Sequence, residues 1–419
     1  MNRNFKISAV VLLTVFSFSA NPSFAQLTYN KKEGLKKQAN ISLNITNRDE
    51  EDHITFVNFG LASNFDKLNG FGFNIFTSIN RYHAYGFQLS GFANISGGTA
   101  NGMQIAGLSN VAAQTSKGLT IAGLVNASGK TMNGLQISGL SNVSGGFISG
   151  MSIGGLLNIA KTSTKGLQIA GIANLAGGSQ DGVAIGGLMN VTGGFCSGVA
   201  ISAILNVSAK ENNGFQLTGL GNVSQNNSGL QTAFLNYTEK NTGVQLGVTN
   251  ITSDTYRGWQ IGLLNFSNRN TSHQVGMVNI KPQTRIQMII SGGNASKFNV
   301  GVRMKNRHIF TQFGLGTHYL GLDKPISLAA SYRTGLTYEL MPRLSLNGDI
   351  GYYHIESLEN GDDNYPERMY ALHPTVSLEY QLCRRFGIYA GGGYSWTLAY
   401  KGAGLVNHKP TFEVGLILF

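Results

Sequence analysis

Apolar and polar positions alternate along the last third of the chain. From Ile326 the even positions read Ile326, Leu328, Ala330, Tyr332, Thr334, Leu336, Tyr338 and Leu340. The odd ones read Ser327, Ala329, Ser331, Arg333, Gly335, Thr337 and Glu339. The same period of two runs through Leu344 to Tyr352, Tyr370 to Leu382, Phe386 to Tyr400 and Phe412 to Leu418. That period predicts strands with one apolar face. The runs are longer than the usual five or six residues of a strand. Aromatics gather near the ends of the apolar face, at Tyr332, Tyr338, Tyr352, Tyr370, Tyr380, Tyr394, Trp396 and Tyr400. A membrane barrel accounts for both features. Its outer face meets lipid between two aromatic girdles, and closure leaves no unpaired backbone edge in lipid.

A longer period governs the middle of the chain. Gly recurs every 16 residues from Gly86 to Gly214, and Asn in the same register from Asn94 to Asn222. The unit reads G-x-Q-I-A-G-L-x-N-V and then about six small or polar residues. Gly134 to Val143 is a clean copy, and looser copies start at Gly229, Gly243 and Gly258. Two glycines within six residues would cost a helix about 2 kcal/mol, so each unit is expected to be strand and turn.

Two topologies fit. In a solenoid each coil needs residues to fill its interior on every side, and the links carry few apolar ones. The third position also alternates, reading Gln104, Thr120, Gln136, Ser152, Gln168 and Ala184. A hidden doubling of the period suits up-strands and down-strands of a meander. The Asn column speaks for parallel coils, in which it could stack as a ladder. The balance favours an all-β chain in which the repeats are antiparallel staves of one transmembrane β-barrel, with about 22 to 24 strands by the even-strand habit of such barrels. The alternative is a β-solenoid array followed by a C-terminal barrel of about eight strands.

Composition narrows the class. Charged residues make up 12% of the 419 and Gly accounts for 56 of them, against about 25% charged in soluble domains. An apolar share of 42% excludes a disordered chain. Two cysteines, Cys196 and Cys383, exclude a disulfide scaffold and leave their own pairing open. Residues 1–25 have the pattern of a secretory signal peptide: basic Arg3 and Lys6, an apolar core from Ile7 to Phe18, and Ser23-Phe24-Ala25 as a cleavage site. An N-terminal segment at 26–52, the repeats at 53–284 and barrel strands at 285–419 follow. The net charge of +11 is scattered, with one short cluster at Lys31, Lys32, Lys36 and Lys37. It points to anionic lipopolysaccharide or other polyanions and not to nucleic acid.

The leader, the long alternating strands, the aromatic girdles and a last strand ending in Phe419 together resemble Gram-negative outer-membrane β-barrel proteins. The resemblance covers 1–25 and 285–419. It implies residence in the cell outer membrane, insertion by the barrel assembly machinery, and outer-membrane lipid and lipopolysaccharide as partners. It also implies a periplasmic C-terminus. The short links Met341-Pro342 and Cys383-Arg384-Arg385 would then be periplasmic, and the long link from Glu356 to Arg368 external. The G-x-Q-I-x-G-L-x-N array is similar to the glycine-rich repeats of bacterial surface-repeat proteins, a likeness that implies no activity.

Charge on a lipid-facing surface costs about 2–4 kcal/mol near the midplane. Arg333, Glu339, Asp349, Glu379 and Glu413 are therefore expected in the lumen, as a selectivity lining or as salt-bridge filling. As barrel staves the repeats would add Gln104, Gln136 and Gln168 to that lumen, an amide surface for uncharged solutes or a means of satisfying backbone groups. The acidic loop from Glu356 to Glu367 matches no calcium-loop spacing and reads as solvated. His354 and Ser357 lie close in sequence but have no identifiable partner. No phosphate loop, dinucleotide, zinc or haem motif is present. No enzyme activity, cofactor or metal is expected. The function expected is a passive channel or transport pore. The alternative is a surface-exposed repeat protein, an adhesin or interaction scaffold, anchored by a small barrel.

Overall fold

The computed structural model describes residues 36–37, 41–42, 53–255, 257–269, 271–318, 327–358, 366–400 and 405–419. The expected leader, most of the segment at 26–52 and the centre of the acidic loop lie outside the described residues. All described elements are strands. Two compact units divide the chain, at residues 1–203 and 204–419.

The repeats are parallel coils, which corrects the favoured meander. In the first unit Gly118, Gly134, Gly150, Gly166 and Gly182 pair in parallel register, one coil to the next. Asn126, Asn142, Asn158, Asn174 and Asn190 do the same on the second strand of each coil. The second unit repeats the arrangement through Asn206, Asn222, Asn236, Asn250, Asn265 and Asn279. Its shorter spacings remove one residue from the corner between the Gln and Asn columns, and a register shift between Ser208 and Glu211 absorbs another, so the columns stay in line.

The interior of the coils explains why the meander looked better. It is filled mainly by Ala, Ser, Thr and the amides of Asn and Gln, with only a few large apolar groups such as Leu68, Met132 and Ile148. Asn142 is fully buried. Its Nδ2 donates to Asn158 Oδ1 at 2.9 Å and to the carbonyl of Ile153 at 2.9 Å. Its Oδ1 accepts from Asn126 Nδ2 at 2.9 Å. Each Asn thus closes its own coil and grips the next, so the amides of this column are satisfied by repetition itself. The alternating third position lies in one interior column, where Gln104, Thr120, Gln136, Ser152, Gln168 and Ala184 are successive register partners. Large and small side chains alternate because coils lie only about 4.8 Å apart. Up-strands and down-strands are not involved.

Two substitutions separate ladder from filler. Asn142→Ala strands an Asn126 donor, an Asn158 acceptor and the Ile153 carbonyl, and should cost about 2–3 kcal/mol. Gln136 is buried with no hydrogen bond at either amide atom, so Gln136→Met should be neutral or stabilising. Denaturant midpoints followed by circular dichroism check both. Equal losses would mean that packing, not the amide ladder, holds the coils.

After Ile280 the chain forms a closed antiparallel barrel of eight strands. They are β1 (Arg285–Gly293), β2 (Asn299–Lys305), β3 (Ile309–His318), β4 (Ser327–Met341), β5 (Leu344–Ser357), β6 (Arg368–Cys383), β7 (Phe386–Ala399) and β8 (Leu405–Leu418). The pairing of β1 with β8 closes it, with Met288 opposite Leu418. The single wide barrel of about 22 to 24 strands is therefore corrected too, because the coils supply no staves. Period two holds around the barrel: Leu336, Ile350, Val376, Phe412 and Val414 are exposed, while Asn347, Asp349, Ser377 and Glu379 are buried. On β8 the same parity holds to the end: Phe412, Val414 and Leu416 are exposed, while Ile417, on the face of Glu413, is buried with Ile289 and Tyr389, and Phe419 packs against them.

Candidate functional site

The inward positions of the barrel converge in two bonded clusters. In the first, Arg333 on β4 meets Asp349 on β5 through two contacts, Nε to Oδ1 at 2.9 Å and Nη2 to Oδ2 at 3.1 Å. Its remaining donor Nη1 reaches Glu413 Oε2 on β8 at 2.7 Å. The Tyr389 hydroxyl on β7 donates to the other Glu413 oxygen. One guanidinium thus spans the barrel, bidentate to one carboxylate and bridging to a second. In the second cluster Glu379 on β6 accepts from Arg303 Nη2 at 3.0 Å, Lys305 Nζ at 2.9 Å and Asn347 Nδ2 at 3.1 Å. Arg303 Nε also donates to Gln287 Oε1 at 2.8 Å. Cations and carboxylates neutralise one another inside a narrow wall.

Toward the other end a smaller group fills the interior. His373 Nε2 lies 2.5 Å from Ser395 Oγ, and the Tyr353 ring centroid lies 4.3 Å from that of His373. Ser395 and His373 are both buried. His354, singled out in sequence, instead belongs to the exposed rim, where its Nδ1 lies 3.1 Å from the Tyr400 hydroxyl.

Of the five charges read as lumenal, Arg333, Asp349, Glu379 and Glu413 face inward and engage each other or the cations of β2. Glu339 does not join them. It is exposed and lines a polar pocket of about 510 Å³ with Arg285, Lys305, Arg307 and Arg343. Gln104, Gln136 and Gln168 lie in the interior of the coils, away from any barrel lumen, because their strands are not staves. Sequence reasoning missed Arg303, Lys305, Gln287 and His373. The signal for the first two was the alternation of Val300, Val302 and Met304 with Arg303 and Lys305, a run of only seven residues in β2.

The barrel has two unlike ends. At one, strands are joined by two or three residues, at 306–308, 342–343 and 384–385. At the other, the links are 294–298, 319–326, 358–367 and 400–404. The coils join the short-turn end, where β1 begins. The connection is four residues long, 281–284, and is tied down. Lys281 N donates to Thr284 Oγ1 at 2.8 Å, Thr284 Oγ1 donates to Asn306 Oδ1 at 2.6 Å, and Asn306 Nδ2 donates to the carbonyl of Asn279 at 3.3 Å. Burial lowers the Lys281 amine below the usual lysine value, and that amine donates to the carbonyl of Ser272.

No family model matches the chain, and no curated protein does. Among solved structures it is similar to the N-terminal β-barrel domain of Pseudomonas aeruginosa OprF, at 12% identity and a TM-score of 0.24, over 32% of this chain and 98% of that one.

Proposed function

We propose that the protein is an integral outer-membrane anchor that carries a rigid β-solenoid on its periplasmic side, and that it is not a pore. The observation that carries this reading is the filled interior of the barrel. An eight-stranded barrel is only wide enough for its own side chains, and here those side chains are locked in ion pairs among Arg333, Asp349, Glu413, Arg303, Lys305 and Glu379. The outer face supports insertion in lipid. Leu315, Leu328, Leu336, Ile350, Val376 and Phe412 are exposed along it, and Tyr352, Trp396 and Tyr400 rim the long-loop end. Short turns face the periplasm and long loops the exterior in barrels of this kind. The last coil, which ends at Ile280, leads directly into the short-turn end, which argues for a periplasmic scaffold and against a surface-displayed adhesin. The barrel itself performs no chemistry in this reading.

Planar bilayers and whole cells test it. Purified, folded protein should give a flat current trace, and stable conductance steps would overturn the anchor in favour of a channel. Protease added to intact cells should leave the coils whole and should cut them only after the outer membrane is permeabilised. Cleavage in intact cells would overturn the periplasmic side.

A further inference from the structure

The coils are polar inside and apolar outside. In the first unit Phe92, Leu108, Leu124, Leu140, Leu156, Ile172 and Leu188 stack in one exterior column at 37–50% exposure. Met103 and Met151 stand exposed in a second column. In the second unit Leu246, Trp259, Ile261, Leu263 and Val275 are exposed on the same strand face or its corner. Because the interior is filled largely by Asn, Gln, Ser, Thr and Ala, with only small apolar clusters such as Met132, Ile148 and Ala160, these exterior side chains have no core to enter. A contiguous apolar surface that extends over successive coils marks a contact site on a folded protein.

From Ala93 onward charge is confined to the remaining edge; before it, Asp66 is buried and pairs with Arg81. Between Ala93 and Ala203 the only charged residues are Lys117, Lys130, Lys161, Lys165 and Asp181, all in or beside the links. Four lysines face one aspartate there. Between Ile204 and Ile280 the charges, Lys210, Glu211, Glu239, Lys240, Asp254, Arg257 and Arg269, again fall in or beside the links. The edge is basic in the first unit and nearly neutral in the second, where four cations meet three carboxylates; an apolar body with a basic edge has the surface chemistry of an interfacial membrane element, in which buried apolar area and attraction to anionic lipid add. Parallel coils also satisfy their backbone groups from one coil to the next, as lipid contact demands.

Continuity with the barrel identifies the occupant. The last coil ends at Ile280, and the apolar belt of the barrel begins at exposed Ile286. The four residues between Ile280 and Arg285 reach at most about 14 Å when extended. We propose that the exterior columns of each unit lie against phospholipid, those of the second unit in the leaflet next to the short-turn end, with the lysine edge of the first unit on anionic headgroups. This rests on the membrane reading above, and the test separates the two.

The chain has two tryptophans, Trp259 on the coils and Trp396 on the barrel rim. The full-length mature protein is inserted in vesicles of phosphatidylcholine and phosphatidylglycerol with brominated acyl chains, which quench tryptophan on contact. Wild type and Trp396→Phe are compared, and Trp259→Phe reports the barrel alone. Trp259 should lose about half its fluorescence, as a side chain at the acyl boundary would. Quenching of Trp396 without quenching of Trp259 overturns the proposal and points to a second copy or another protein on the columns. No quenching of Trp396 overturns the membrane reading as well. For the first unit the probe is Leu140→Trp in a Trp259→Phe, Trp396→Phe background. Its quenching should rise with the phosphatidylglycerol fraction and lose that dependence when Lys117, Lys130, Lys161 and Lys165 are changed to Gln. A probe never quenched, or indifferent to anionic lipid with the lysines intact, overturns the proposal for that unit.

Discussion

Gly134→Ala is expected to destabilise the coils by roughly 3 kcal/mol or more, among the largest effects of any single methyl group in this chain. Two independent reasons converge. Gly134 has φ +111°, a conformation that side chains with a Cβ rarely adopt. The added Cβ would also stand 2.2 Å from the carbonyl oxygen of Gly118 in the preceding coil. That oxygen belongs to the backbone of a hydrogen-bonded coil and cannot turn away as a flexible side chain would. Gly118 and Gly150 share the same φ region, at +99° and +102°, so a shift at one coil is passed to its neighbours. Gly221→Ala is the control, since its Cβ would meet only ordinary contacts at 3.5 and 3.6 Å. Denaturant midpoints of the folded protein in detergent compare the two. Similar midpoints would mean that the glycine column is a compositional habit and not a steric requirement.

Arg333→Ala should unfold or loosen the barrel by about 3–5 kcal/mol, the cost of leaving buried carboxylates without their cation. Arg333 is 3% exposed, Asp349 8%, and the substitution strands Asp349 and Glu413 together. The magnitude comes from the orphaned charges and not from the net value of the ion pairs. Arg333→Met combined with Asp349→Leu and Glu413→Gln should therefore recover most of the loss, since the new amide oxygen at position 413 can still accept from the Tyr389 hydroxyl. Urea midpoints and the heat-dependent gel mobility of the folded barrel read the effect. If the triple variant is as unstable as the single one, the side chain's volume, not its charge, is what the barrel needs.

The facing of Arg333, Asp349, Glu379 and Glu413 is legible in the sequence, because period two along β4 to β8 assigns each residue to one side. Which cation serves which carboxylate is not. Arg303 and Lys305 reach Glu379 across the barrel, from a strand more than seventy positions away, and nothing local encodes that meeting. Glu339 shows the limit of parity. It shares a strand face with Arg333, yet it lies near the end of β4, where the wall has run out and the side chain is exposed at the rim.

The sequence alone determined the long strands of the barrel's last part, the sixteen-residue repeat and the chain order of array before barrel, whereas each repeat, read as one ten-residue run, folds as two strands such as Thr131–Ser138 and Ser141–Ser144. Periodicity settles these, since it records which residues share a face. It does not record what that face meets. Whether a repeat pairs with its successor head to head or head to tail depends on contacts a full coil apart, and the two arrangements leave the same local pattern. Only the tertiary structure decided for parallel coils, and the Asn column gave the physical reason: each amide finds its donor and acceptor in copies of itself, which happens only when every coil runs the same way. With polar groups satisfied inside, the apolar columns were left outside, an inversion that hydrophobic patterning by itself reads backwards.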